Sequence, residues 1–172
     1  MVKKLSDNFV YWEFHESIAF ADIRLSGLPE TITVKGNELP RKTEFHITLI
    51  DLERIAKLIN QNAAKKIQTE IIDEVQNFLK TDKLDKFKLL NKFRFVQRDS
   101  RKSVIVMCRL PGADRFFSLL RKKYETDLPL QPFHITLYAL PKDKGIGLLS
   151  DEEVEEFSVP VESPELKNIK PA

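Results

Sequence analysis

The chain has 172 residues, a net charge of +2 and a hydrophobic fraction of 42%, enough for one domain with a sizeable core. A single cysteine excludes an internal disulfide, and five glycines leave little room for a glycine-rich phosphate cradle. No apolar run reaches signal-peptide or membrane-span length, so the expectation is a monomeric, reduced, cytoplasmic protein with no membrane partner.

Phe9 to Phe14 reads as a strand, and Ile18 to Leu25 as a second one ended by Gly27-Leu28-Pro29. Ile32-Thr33-Val34-Lys35 is a short strand with a turn at Gly36-Asn37. Pro40 closes this region, and Phe45-His46-Ile47-Thr48-Leu49 follows as a strand. Asp51 is placed to cap a helix. Leu52, Ile55, Ile59, Ala63, Ile67, Ile71, Val75 and Phe78 then recur every three or four residues, a helical face with an expected break near Asn60-Gln61-Asn62. Phe87 to Val96 and Ser103 to Leu110 read as strands joined through residues 97–102. Asp114 begins a helix with Phe116, Phe117, Leu120 and Tyr124 on one side and cations in its last turn. Pro129 and Pro132 lead into Phe133-His134-Ile135-Thr136-Leu137, and Pro141 closes that strand. Ser150 with Glu153 reads as a capping box, and Phe157-Ser158-Val159 as a last strand.

The pentapeptide FHITL thus occurs twice, and it uses two of only three histidines. An internal repeat explains this better than chance. Side chains alternate along a strand. Phe45, Ile47 and Leu49 therefore share an apolar face, with His46 and Thr48 on the other; Phe133, Ile135 and Leu137 oppose His134 and Thr136 in the same way. Two imidazoles and two hydroxyls around one cleft suit an anionic, tetrahedral group. A single His-X-Thr is usually a solvated face, but such a face has no reason to keep the same two polar residues twice. Two histidines without carboxylates or cysteines rarely hold zinc, so neither metal nor cofactor is expected.

On these residues, His46-Ile47-Thr48-Leu49 and His134-Ile135-Thr136-Leu137, the chain resembles the 2H phosphoesterases. That family is defined by two His-X-Thr/Ser-X motifs and includes 2′-5′ RNA ligase-like proteins and RNA 2′,3′-cyclic phosphodiesterases. The likeness covers about residues 40 to 140, including the order of elements between the motifs. It departs at residues 9 to 43, which read as β-rich where the family often has a short strand followed directly by a helix. The resemblance implies hydrolysis of a 2′,3′-cyclic phosphate, or cleavage or ligation of a 2′-5′ linkage, on RNA or oligonucleotide ends.

The residues agree with that chemistry. One neutral histidine removes a proton and one protonated histidine gives one. Thr48 and Thr136 hydroxyls bind non-bridging oxygens as their charge grows. Tyr138, in phase with His134 and Thr136, is placed to stack a base or border the cleft, and Arg41 and Lys42 precede the first motif within reach of phosphate. Lys80 to Lys102 carries nine basic residues against Asp82, Asp85 and Asp99, with Phe93 and Phe95 interleaved. That pattern fits a single-strand groove, although shared strand parity fits a core face better. Two other readings stay open: a phosphodiesterase for a small cyclic phosphate, and a non-catalytic RNA-binding module. The expected fold is a single α+β domain over residues 1–172, two-lobed, with antiparallel sheets flanking a cleft and helices outside.

Overall fold

The computed structural model describes residues 1–84 and 86–172; Asp85 of the basic stretch lies outside them. Helices and antiparallel sheets are mixed in an α+β arrangement. The chain opens with β1 (Val2–Lys4), β2 (Phe9–Trp12), β3 (Ser17–Ile23) and β4 (Leu25–Ser26), with a 3-10 turn at Glu13–His15 that takes Phe14 out of the expected strand. A tight hairpin follows, β5 (Thr31–Val34) and β6 (Asn37–Pro40). Its two turn residues are Lys35 and Gly36, at φ 49 and 73, so the turn sits one residue earlier than expected. Left-handed conformation at both positions matches the twist of a two-residue hairpin.

β7 (Phe45–Asp51) carries the first motif and passes into α1 (Leu52–Asn60). Asp51 caps that helix by accepting a hydrogen bond from Arg54 N at 3.1 Å. The helical face breaks where expected: Asn60 leaves helical geometry and accepts from Asn62 N at 3.0 Å before α2 (Ala64–Thr81) resumes. β8 (Lys88–Arg98) and β9 (Arg101–Arg109) form a long hairpin turned by Asp99 and Ser100 alone. Residues 97, 98, 101 and 102 extend the ladder, because Asp99 takes the left-handed conformation (φ 55) that a tight turn needs. Then come α3 (Ala113–Tyr124), β10 (His134–Leu140) with the second motif, α4 (Asp151–Phe157), β11 (Ser158–Val161) and β12 (Lys170–Pro171). Ser150 caps α4 by accepting from Glu153 N, while Glu153 accepts from Leu149 N at 2.7 Å.

The chain divides into two compact units, each made of three segments. The first comprises Met1–Ala21, Thr48–Phe87 and Leu110–Gln131. It holds β1, β2 and most of β3 as an antiparallel ribbon, together with α1, α2 and α3. Its core is aromatic: Phe78 and Phe116 rings lie 5.4 Å apart, Phe116 and Phe117 6.0 Å, and Phe9 and Phe20 5.3 Å. The helices expected outside each half thus both belong to this unit.

The second unit comprises Asp22–Ile47, Lys88–Arg109 and Pro132–Ala172. Its sheet runs from the first three residues of β7 through β10, β9 and β8 to β11, every neighbour antiparallel; from Thr48 on, β7 belongs to the first unit. Val96, Ile105, Ile146, Leu148 and Val154 form an apolar cluster in it, with Met107 and Phe157 against them. Phe95 is buried and Phe93 half-buried, so the interleaved aromatics of the basic stretch do not form an open stacking platform. Cys108 is buried, which pushes its thiol up to about 12 and leaves it inert.

Candidate active site

In β7 and β10 the alternate residues Ile47, Leu49, Ile135 and Leu137 are fully buried, with Phe45 half-buried. The middle residues of the two FHITL copies, Ile47 and Ile135, are direct partners across the antiparallel pair. Paired residues share a face, so the residue before each, His46 and His134, lies on the opposite face of the same two strands. Thr136 follows on that face of β10, and alternation puts Thr48 on the His46 face of β7. His46 and His134 are diagonal neighbours in this register, a relation that in antiparallel sheets separates residues by roughly 7–8 Å, their Cβ atoms by somewhat less. The expectation of two sheets facing across a cleft is therefore corrected. Ile47 and Ile135 pair on neighbouring strands, which brings His46, His134 and Thr136 to one face within the second unit.

His134 is held in a defined state. Its Nδ1 lies 2.9 Å from Pro132 O, so Nδ1–H donates there and the lone pair sits on Nε2. Burial depresses its pKa below the ordinary value; the Pro132 bond opposes that in part, and the positive charge of Lys42 adds to it. At neutral pH His134 is thus a neutral imidazole with Nε2 as the basic atom. Nothing at the residue-type level marks Pro132 as its support, because the contact uses a backbone carbonyl. The one visible signal is that the two copies differ two residues before the histidine, Glu44 against Pro132.

Thr136 is almost buried, at 9% exposure. Its hydroxyl faces Gly145: a Cβ built on that glycine would stand 3.2 Å from Thr136 Oγ1. Gly147 has open space around it. Gly145→Ala is therefore expected to press on the Thr136 hydroxyl and slow turnover several-fold, with Gly147→Ala silent, in steady-state kinetics; equal rates for both variants would remove Thr136 from the site.

The three residues assigned beyond the repeat fall differently. Tyr138 is not in phase with His134 and Thr136. The ladder to β9 slips between Thr136 and Tyr138, a bulge at Leu137 that changes which face the next side chain takes. Tyr138 is fully buried and its hydroxyl donates to Pro29 O at 2.8 Å, so the ring has no face left for a base. Arg41 donates from Nη1 to Leu28 O at 2.6 Å and pairs with Tyr138 as an isolated bridge. Lys42 donates its backbone N–H to Leu137 O at 2.9 Å, which pins it next to Thr136 on β10. Its side chain is buried to 9% exposure, which pulls its pKa down, opposed by the charges of Asp143 and Glu44.

Among the described residues no group of three or more His, Cys, Asp or Glu is placed to hold a metal ion, and no helix is long and apolar enough to cross a membrane. Comparison with family models, curated proteins and solved structures finds no match to this chain.

Proposed function

We propose that this chain is a metal-independent phosphodiesterase of the 2H type that hydrolyses 2′,3′-cyclic phosphate at RNA ends, acting as a cytoplasmic monomer. The observation that supports the reading is the pairing of Ile47 with Ile135, which puts His46, His134 and Thr136 on one face of neighbouring strands. His134, neutral and with Nε2 free of Pro132, takes a proton from water as the water oxygen bonds to phosphorus. The bond from phosphorus to one ribose oxygen breaks, and protonated His46 gives that oxygen its proton. The product is a phosphomonoester with a free neighbouring hydroxyl, and the two histidines have exchanged protonation states. Thr48 and Thr136 donate to the non-bridging oxygens. In the reverse sense the same pair serves ligation, with a ribose hydroxyl in place of water.

The test is incubation with an oligonucleotide ending in 2′,3′-cyclic phosphate, with and without chelator, and mass measurement of the product. A gain of one water with chelator present is expected. Loss of turnover on chelation, restored by a divalent ion, points instead to metal-activated water.

The pH profile of kcat/KM is expected to be bell-shaped, with its acid limb below the ordinary histidine value of about 6.5. The sign follows from His134: its pKa is depressed, so it stays neutral and basic to lower pH than a free histidine. The same shift makes the fold lose stability as pH falls from about 6.5 toward the folded value, since only the unfolded chain then readily takes the proton. An acid limb well above 6.5 would remove His134 as the base.

A further inference from the structure

The second unit contains a cavity of about 650 Å³, a size suited to a nucleotide-sized ligand. Arg41, Lys42, Thr43, Phe45 and Lys142 line it, with Glu30 as its one acidic side chain. It approaches the candidate site through Lys42, whose backbone N–H donates to Leu137 O beside Thr136 and whose charge acts on His134.

Lys42 is the unusual member. Lysines are rarely buried without a partner, because removing an ammonium from water costs several kcal/mol unless an anion compensates. Lys42 is only 9% exposed as a residue, with its ammonium still reaching solvent; among the described residues no carboxylate lies within 4 Å of its Nζ, although the charges of Asp143 and Glu44 act on it. The nearby Asp143 is already engaged, its two carboxylate oxygens accepting from Thr43 N at 2.7 Å and Thr43 Oγ1 at 2.9 Å. The same loops that bury the lysine thus take up the carboxylate that stands closest in charge. Arg41 is held by Leu28 O, and Lys142 is exposed at the rim. The result is a polar cavity with three cations against one anion among its lining side chains, and a largely buried lysine in its wall.

A cyclic phosphate on a single nucleoside carries one negative charge, and the two His-X-Thr faces already serve it. A cation-rich cavity adjoining them has no role for that substrate. In an oligonucleotide the next internucleotide phosphate is a second monoanion, one nucleoside away from the reacting end. We propose that the cavity is a second anion subsite that takes this phosphate, so that the enzyme prefers chain ends to mononucleotides, with Lys42 and Lys142 as the residues that recognise it. This rests on the phosphodiesterase reading for its activity arm and stands apart from it in its binding arm.

The experiment uses three substrates: a nucleoside 2′,3′-cyclic phosphate, a dinucleotide ending in one, and the same dinucleotide with a neutral methylphosphonate linkage. Charge-assisted hydrogen bonds lead to an expected kcat/KM for the charged dinucleotide about tenfold to a hundredfold above the methylphosphonate. Lys142→Gln is expected to shrink that ratio, and Lys42→Met to shrink it and move the acid limb of the pH profile upward, a shift that lost packing alone does not produce. Equal rates for the charged and neutral linkages in the wild type overturn the subsite. Calorimetric titration with the 3′-phosphorylated dinucleotide and its methylphosphonate analogue supplies the second readout. Tighter binding of the charged linkage, lost in Lys42→Met, supports the subsite even if no substrate is turned over, in which case the catalytic reading alone fails. Equal binding of both analogues overturns the subsite whatever the catalytic result.

Discussion

His46→Ala and His134→Ala are each expected to lower the hydrolysis of a 2′,3′-cyclic phosphate end by about a hundredfold to ten-thousandfold. The two histidines are not interchangeable spectators on a sheet surface. Each belongs to one copy of a repeated pentapeptide, and the centres of the copies are paired residue against residue. On the proposed mechanism, removing either one leaves a base without its acid, or an acid without its base. His134→Ala also strips Pro132 O of its partner, so a loss there mixes chemistry with support. His134→Asn separates the two, because its amide N–H stands near the place of Nδ1 while no base remains at Nε2. It is expected to fold with a melting midpoint near the wild type and to be about as inactive as the alanine variant. His15 is the control. It lies in the first unit, outside both motifs, with its ring 6.0 Å from that of Trp12. His15→Ala is expected to turn over at the wild-type rate. Either motif variant retaining more than about a tenth of the activity would sink the paired acid–base mechanism.

Features set by neighbouring residues were legible in the sequence, and features set by distant ones were not. Asp51 and Ser150 cap their helices as their positions imply, because a cap is a contact three residues long. The break at Asn60 is local for the same reason. The alternation of Phe, His, Ile, Thr and Leu fixes which residues of β7 and β10 face the core. It does not say which strand lies beside which, since partner choice depends on pairing across about ninety residues of intervening chain. That is why two facing sheets read as plausibly as the neighbouring strands that form. The bulge at Leu137 is equally invisible: FHITLY continues the alternation without a glycine or any other mark of an extra residue. Tyr138 turns inward because Pro29 O, far away in sequence, accepts its hydroxyl. Two features of the site arise from what residue type hides, the backbone carbonyl of Pro132 and the burial of Lys42. Lysine reads as surface in any sequence, and its burial here is a product of tertiary structure.

Thr136→Val and Thr48→Val are expected to lower kcat by about a hundredfold to a thousandfold while KM changes little. Valine keeps the branched shape and removes only the hydroxyl. At Thr136 that distinction is clean, because the side chain is almost buried and its neighbour Gly145 has no side chain to collapse into the space. A hydroxyl aimed at a non-bridging oxygen gains most as the phosphorus becomes five-coordinate and charge grows on that oxygen. An interaction that strengthens only there is lost from kcat and from kcat/KM alike. Thr→Ser restores the donor with one methyl fewer and is expected to cost only a few-fold. Thr48 sits at the matching position of the other copy, so its valine variant should behave like that of Thr136 if both hydroxyls act on the transition state. A raised KM with unchanged kcat would instead assign the threonines to ground-state binding. A large loss at Thr136 with none at Thr48 would mean that the second copy of the motif carries the oxygen contacts alone and that His46 supplies only its proton.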